Sequence, residues 1–156
     1  MNLVSALLDP AHVALDVEAN DKKTLFERAA AMLEGAAGLS RGQVIDSLLA
    51  RERLGSTGLG QGIAIPHGRV KGLRTAVGAF LRVRTPIPFD APDEQPVSLA
   101  FVLLVPERAS DLHLQILSEL AQMFSDRELR RQLASAPDAL FAQRLIVGWQ
   151  TQAPRS

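Results

Sequence analysis

One histidine in this sequence stands where chemistry is expected. It is His67, at the end of Gly62-Ile63-Ala64-Ile65-Pro66-His67-Gly68. Pro66 biases Ile65 towards extended backbone, so the ring is expected at a strand end, at the surface. An imidazole titrates near neutral pH and can act there as a nucleophile or a base. The groups around it suit an anion. Gly55, Gly58, Gly60, Gly62 and Gly68 take five of the chain's eleven glycines. Glycine lets a ligand or partner approach the backbone closely, and successive backbone N–H groups form anion-binding nests. Ser56 and Thr57 add hydroxyls, and Arg51 adds a planar fork of donors. The plainer alternative is a tight turn between a helix and a strand. A nucleotide loop is excluded: no Gly-Lys-Ser/Thr ending occurs, and no strand precedes the run.

A second histidine deserves weighing. With Ser110 as an N-cap, His113 falls at the third helical position and shares a stripe with Leu117, Leu120 and Phe124. A helix N-terminus and partial burial both disfavour the imidazolium, so a neutral ring is expected. It would bond either a neighbouring histidine or phosphoryl oxygen, or a backbone carbonyl in the core. His12 stands beside a proline and receives no role.

These residues need elements to hold them. Residues 21–34 place Leu25, Ala29, Met32 and Leu33 on one helical face, and Gly35 is a natural stop. Ser40 with Gln43 forms a capping box before Val44, Ile45, Leu48 and Leu49. That helix ends near Gly55, with Arg51 and Arg53 in or near its last turn, where cations also suit the helix dipole. The centre reads as strands: Ile63 to Ile65, an alternating Val77 to Val83, and an almost wholly apolar Ser98 to Val105 bracketed by Pro96 and Pro106. Residues 85–93 read as a proline-rich connection. Ser110 opens a helix to about Phe124, Ser125 with Glu128 makes a further capping box, and Pro137 fits the first turn of a last helix. Helices, then strands, then helices predict an α/β fold: a sheet with helices packed on its faces, in one domain over 1–156, with a core of about 3–147 and a frayed tail over 150–156.

Composition narrows the function. The chain has 156 residues, with 17 Lys plus Arg against 17 Asp plus Glu. That balance argues against nucleic-acid binding, which relies on a basic excess. The absence of cysteine removes disulfides, thiolate metal sites and a cysteine nucleophile. The N-terminus lacks a basic segment ahead of a long apolar run, and no stretch approaches the length of a membrane span. A soluble, cytoplasmic protein is expected, without membrane insertion.

The run from Arg51 through Leu54-Gly55-Ser56-Thr57-Gly58-Leu59-Gly60-Gln61-Gly62 to His67-Gly68 closely resembles the active-site signature of the mannitol/fructose-type enzyme IIA domains of the bacterial phosphotransferase system. Pro86-Ile87-Pro88-Phe89-Asp90-Ala91, the strand into Val105-Pro106, and Leu112-His113-Leu114 extend the likeness to residues 3–147 or so. The resemblance implies a mixed sheet flanked by helices and a phosphoryl group carried on the Nε2 of His67. By position, Arg51 matches the family's arginine near the phosphoryl, and His113 its second histidine. Ser56, Thr57, Gly58 and Gly68 would line the phosphate, with no cofactor and no metal. The donor would be a histidine phosphocarrier protein. Gly-Ser-Thr-Gly and Pro-Ile-Pro-Phe-Asp-Ala look most like the nitrogen-regulatory branch, whose output is phosphorylation-dependent binding of target proteins. The alternatives are a free-standing sugar-specific IIA passing phosphate to a IIB domain, and an interaction module that is never phosphorylated.

Overall fold

Alternation along one strand decides the architecture. In Val97–Pro106, Leu99, Phe101, Leu103 and Val105 point into one apolar cluster, while Ala100, Val102 and Leu104 point into another. A strand apolar on both faces must be covered on both faces. The computed structural model, which describes residues 2–108 and 110–150, is accordingly a helix–sheet–helix sandwich, as the order of elements predicted.

Its strands are β1 (Val13–Val17), β2 (Gly58–Gly60), β3 (Ile63–Ala64), β4 (His67–Val70), β5 (Val77–Ile87) and β6 (Val97–Pro106). The order is β1-β5-β6-β3-β2, with β4 also on β6. β1 runs parallel to β5, β5 antiparallel to β6, and both β3 and β4 parallel to β6. β3 and β4 therefore lie in line along the same side of β6, opposite Leu99–Ala100 and then opposite Leu103–Pro106.

Helices α1 (Lys22–Leu33) and α2 (Arg41–Glu52) cover one face. Leu25, Phe26, Ala29 and Leu33 of α1 are buried there with Val44 and Leu48 of α2. Helices α3 (Asp111–Ser125), α4 (Arg127–Ala134) and α5 (Ala139–Val147) cover the other, where Phe124 packs against Phe80 and Phe101. The helix starts follow their caps. Ser40 and Gln43 form the expected capping box, and the Ser110 side chain accepts from the His113 N–H.

Several expectations need correction. The last two helices start differently from the prediction: Asp126 caps α4 and Asp138 caps α5, each accepting backbone N–H groups. Ser125 instead donates to the Gln122 carbonyl at 2.7 Å, and a carboxylate wins because it is the stronger acceptor at a helix N-terminus. Residues 85–87, read as connection, continue β5 through an irregular stretch between the Arg82–Leu99 and Ile87–Val97 pairs. Such an irregularity accommodates Pro86, which has no N–H for the ladder. β1, β2 and β4 were not foreseen as strands. The tail beyond residue 150, expected to fray, lies outside the described residues.

Candidate functional site

His67 owes its place to the gap between β3 and β4. Ile65 and Pro66 bridge that gap without joining either strand, although the Pro66 carbonyl still accepts from Leu103 at 2.9 Å. Freed from the ladder, the Ile65 N–H donates to the Thr57 carbonyl at 3.1 Å. The Ile65 carbonyl lies 2.8 Å from Nδ1 of His67. A carbonyl only accepts, so Nδ1 holds the proton and the lone pair sits on Nε2. The ring is half-buried. Burial holds its pKa below the ordinary histidine value, with the Arg51 charge acting in the same direction; the Ile65 carbonyl and Glu52 oppose it. The imidazole is thus favoured in its neutral form at neutral pH, with Nε2 without a hydrogen-bond partner among the described residues.

Alternation along β4 sends Val70 into the α1–α2 core beside Gly68, and leaves His67 and Arg69 on the opposite side. Gly68 is glycine for a packing reason: a Cβ there would come within 2.8 Å of the Ser47 carbonyl oxygen on α2. Ser47 also donates its hydroxyl to the Arg69 carbonyl at 2.8 Å, which stitches α2 to β4.

That seam forms the floor of a cleft of about 630 Å³. Ser47, Ala50, Arg51 and Leu54 come from α2 and the turn after it; His67, Gly68 and Arg69 come from β4; Ser110, His113, Leu114 and Leu117 come from α3 and its cap. His67, Arg51, His113 and Gly68 are therefore brought together, as anticipated. Arg51 donates through Nη1 to the Gly55 carbonyl at 2.9 Å, capping α2. Its other nitrogens have no partner among the described residues. The tie to the helix end is therefore present, and it leaves the rest of the guanidinium at the cleft. His113 sits at the third position of α3 with its Nδ1 buried and, among the described residues, without a hydrogen-bond partner, so none of their backbone carbonyls holds it. Two arginines and no carboxylate are found among the described lining residues. In a chain of zero net charge, this cleft is locally suited to an anion.

Ser56, Thr57 and Gly58 do not line the cleft. Ser56 donates its hydroxyl to the Phe89 carbonyl at 2.6 Å and accepts from the Gly58 N–H at 3.0 Å. Thr57 is buried and gives its hydroxyl to Glu52 at 2.6 Å and its N–H to the same carboxylate at 3.2 Å. Their polar groups are committed within the protein, so the hydroxyl and amide contacts expected of them are already taken. Gly58 approaches a neighbouring loop instead: a Cβ there would lie 2.9 Å from that of Ala91.

Sequence reasoning overlooked Glu52, the partner that claims Thr57, and Arg69. A carboxylate inside an otherwise anion-friendly run was the available signal for Glu52. For Arg69 it was the two-residue spacing from His67, legible only once β4 is known to be a strand. Among the described residues no cluster of His, Asp or Glu could hold a metal ion, and no helix is long and apolar enough to cross a membrane.

A neutral imidazole beside two guanidinium groups on a mixed α/β sandwich defines a class, and comparison with known proteins agrees with it. Residues 6–147 match the family model of the phosphoenolpyruvate-dependent sugar phosphotransferase system, EIIA 2, and the chain belongs to this family. It is a IIA-type component of such a phosphotransferase system. Within the family, a nitrogen regulatory protein of Pseudomonas aeruginosa is 40% identical over 145 residues, which span 92% of this chain and 94% of that protein. The crystal structure of nitrogen regulatory protein IIA-Ntr from Neisseria meningitidis superposes with a TM-score of 0.88 at 49% identity, covering 93% of this chain and 99% of that one. The fold extends to enzyme IIA-Mtl in its complex with phosphorylated enzyme IIB-Mtl from Escherichia coli, at a TM-score of 0.76 and 20% identity, over 92% of this chain and all of that one (100%).

Proposed function

We propose that His67 accepts a phosphoryl group on Nε2 from a phosphohistidine carrier protein, and that the protein then acts by binding targets according to its phosphorylation state. The observation that carries this reading is the hydrogen bond from Nδ1 of His67 to the Ile65 carbonyl, which leaves the Nε2 lone pair available beside Arg51. That lone pair attacks phosphorus as the donor's phosphorus–nitrogen bond breaks and its electron pair returns to the donor imidazole. His67 keeps its Nδ1 proton, so the Ile65 carbonyl meets the positive charge that develops on the ring. The phosphoryl oxygens meet the free donors of Arg51, and Arg69 and His113 stand at the same cleft. Catalysis on this account is positioning plus electrostatic stabilisation, and needs no metal-binding cluster.

The regulatory output follows the similarity to nitrogen regulatory proteins over nearly the whole chain. A sugar-transport role is kept as a second reading because a fructose-specific EIIABC component of Bacillus subtilis is 31% identical over 134 residues. The test is incubation with phosphoenolpyruvate, enzyme I and the histidine phosphocarrier. One acid-labile phosphate per chain is expected, and none in His67→Ala. Label that survives this substitution sinks the site. Onward transfer to a purified IIB domain would favour the sugar reading over the regulatory one.

A further inference from the structure

The Glu52 side chain is only 7% exposed, yet it lies one residue from the cleft arginine. Its carboxylate takes the Lys22 ammonium at 2.9 Å, the Thr57 hydroxyl at 2.6 Å and the Thr57 N–H at 3.2 Å. Lys22 in turn reaches Asp90 at 3.2 Å and sits over the Phe89 ring, 4.8 Å from its centroid. The carboxylate joins the end of α2 to the start of α1 and to the loop after α2, and Lys22 extends the link to the turn after β5. A buried carboxylate is costly unless its lone pairs are met, and here they are.

Its consequence runs towards the histidine. Glu52 holds Thr57 by two bonds; the Thr57 carbonyl holds the Ile65 N–H at 3.1 Å; and the Ile65 carbonyl holds Nδ1 of His67 at 2.8 Å. The successive bonds belong to different peptide groups, so the link is one of placement rather than of a single polarised chain. Between β3 and β4 the Ile65 N–H is held by Thr57 and the following Pro66 carbonyl by Leu103, so Thr57 is the anchor of Ile65 on the side of the α2 loop. We infer that Glu52 is a positioning residue for His67, acting through Thr57 and Ile65 to fix the Nδ1–H tautomer and the direction of the Nε2 lone pair. The inference rests on the reading of His67 as the phosphoryl acceptor, but the tautomer can be observed without phosphorylation.

The full chain is used throughout. Glu52→Gln replaces an acceptor oxygen by an NH₂ group that cannot accept from Thr57 and Lys22. Thr57→Val removes only the hydroxyl, and Thr57→Ser keeps it. Nitrogen-15 NMR of the imidazole in unphosphorylated protein reads the tautomer, and transfer from the phosphorylated histidine phosphocarrier is resolved into kcat and KM. Glu52→Gln is expected to lower kcat by about tenfold or more with KM changed by less than about twofold, and to shift the ring away from a single Nδ1–H tautomer. Thr57→Val should do the same more weakly, and Thr57→Ser should recover most of that loss. A folded Glu52→Gln or Thr57→Val protein that is less heat-stable but keeps the wild-type tautomer and kcat would overturn the inference. If Glu52→Gln does not fold, the Thr57 pair decides alone. Absence of transfer in the wild type would refute the acceptor reading, while the tautomer measurement still judges Glu52.

Discussion

The two walls of the cleft are built differently. On the α2 side most polar groups are committed within the protein: Glu52 binds Thr57 and Lys22, Ser47 binds the Arg69 carbonyl, and Arg51 gives Nη1 to the Gly55 carbonyl while its other nitrogens have no partner among the described residues. On the α3 side, Ser110 caps the helix, His113 has a buried nitrogen without a partner, and Leu112 and Leu114 are 51% and 64% exposed. One wall fixes the His67 ring and leaves only the Arg51 donors and the 84% exposed Leu54 open at its end, and the other holds few internal bonds and carries polar and apolar groups that an incoming phosphoryl group or protein would satisfy. The division fits a relay site, which must hold its nucleophile still and yet admit a partner.

The largest effect should come from breaking the fixed wall. Gly68→Ala forces a methyl against the Ser47 hydroxyl on α2 and within 2.8 Å of the Ser47 carbonyl oxygen; the hydroxyl could turn away only by giving up its bond to the Arg69 carbonyl, and the backbone cannot turn away. A loss of about 3 kcal/mol is expected, seen as a fall in Tm of roughly 10 °C. A Tm within a degree or so of wild type would mean that α2 and β4 part easily and that this wall is not rigid. Arg51→Ala follows: transfer into His67 should fall about a hundredfold, as when one preorganised donor is lost, while Tm changes little because Nη1 supplies only an exposed cap. Arg51→Lys should recover part of the rate, since a point charge replaces the fork. A large loss of Tm with a small loss of rate would assign Arg51 to helix capping instead.

The same contrast explains what the residue order made legible. The long apolar strand and the helical stripes announced both cores, and the Pro66-His67 junction put the His67 ring at a strand boundary. The short strands β2 and β4 were hidden: three or four residues containing glycine carry no alternation strong enough to read, and only pairing with a neighbour makes them strands. The glycines misled in a related way. Gly58 looked like backbone opened to an anion, but it makes room for Ala91, and Gly68, which does line the cleft, also makes room for α2. Ser56 and Thr57 failed as ligands because competition for their hydroxyls comes from Phe89 and Glu52, which are 33 residues away and 5 residues away along the chain. A spacing of five past a helix end gives no sign of which way a side chain turns.

On the open wall, His113→Ala should slow transfer by about tenfold, the scale of one hydrogen bond to a charged group. Stability should hardly move, because removing a buried nitrogen without a partner offsets the lost packing. Chemical unfolding and transfer kinetics on the same samples check both halves. Loss of stability with wild-type transfer would make His113 a packing residue and leave the α3 wall without a polar role.

The smallest effect is the most direct probe of the fixed wall. The pKa of His67 is held below the ordinary value of about 6.5 by burial and by Arg51, against the Ile65 carbonyl and Glu52. As pH falls through about 6.5, the unfolded chain takes up a proton at this residue before the folded one does. His67 therefore contributes a loss of stability that begins near the ordinary value and levels off below the lowered native one; above that window it contributes no pH dependence. The difference in Tm between wild type and His67→Gln should thus be constant above about pH 7 and should turn against the wild type below it. The transfer rate should likewise stay flat down to about pH 6.5 before declining, because the folded ring remains neutral there. If the wild type instead gains on His67→Gln as pH falls, the ring is charged in the folded protein. Glu52 and the Ile65 carbonyl would then outweigh burial, and the fixed wall would be holding an imidazolium rather than a nucleophile.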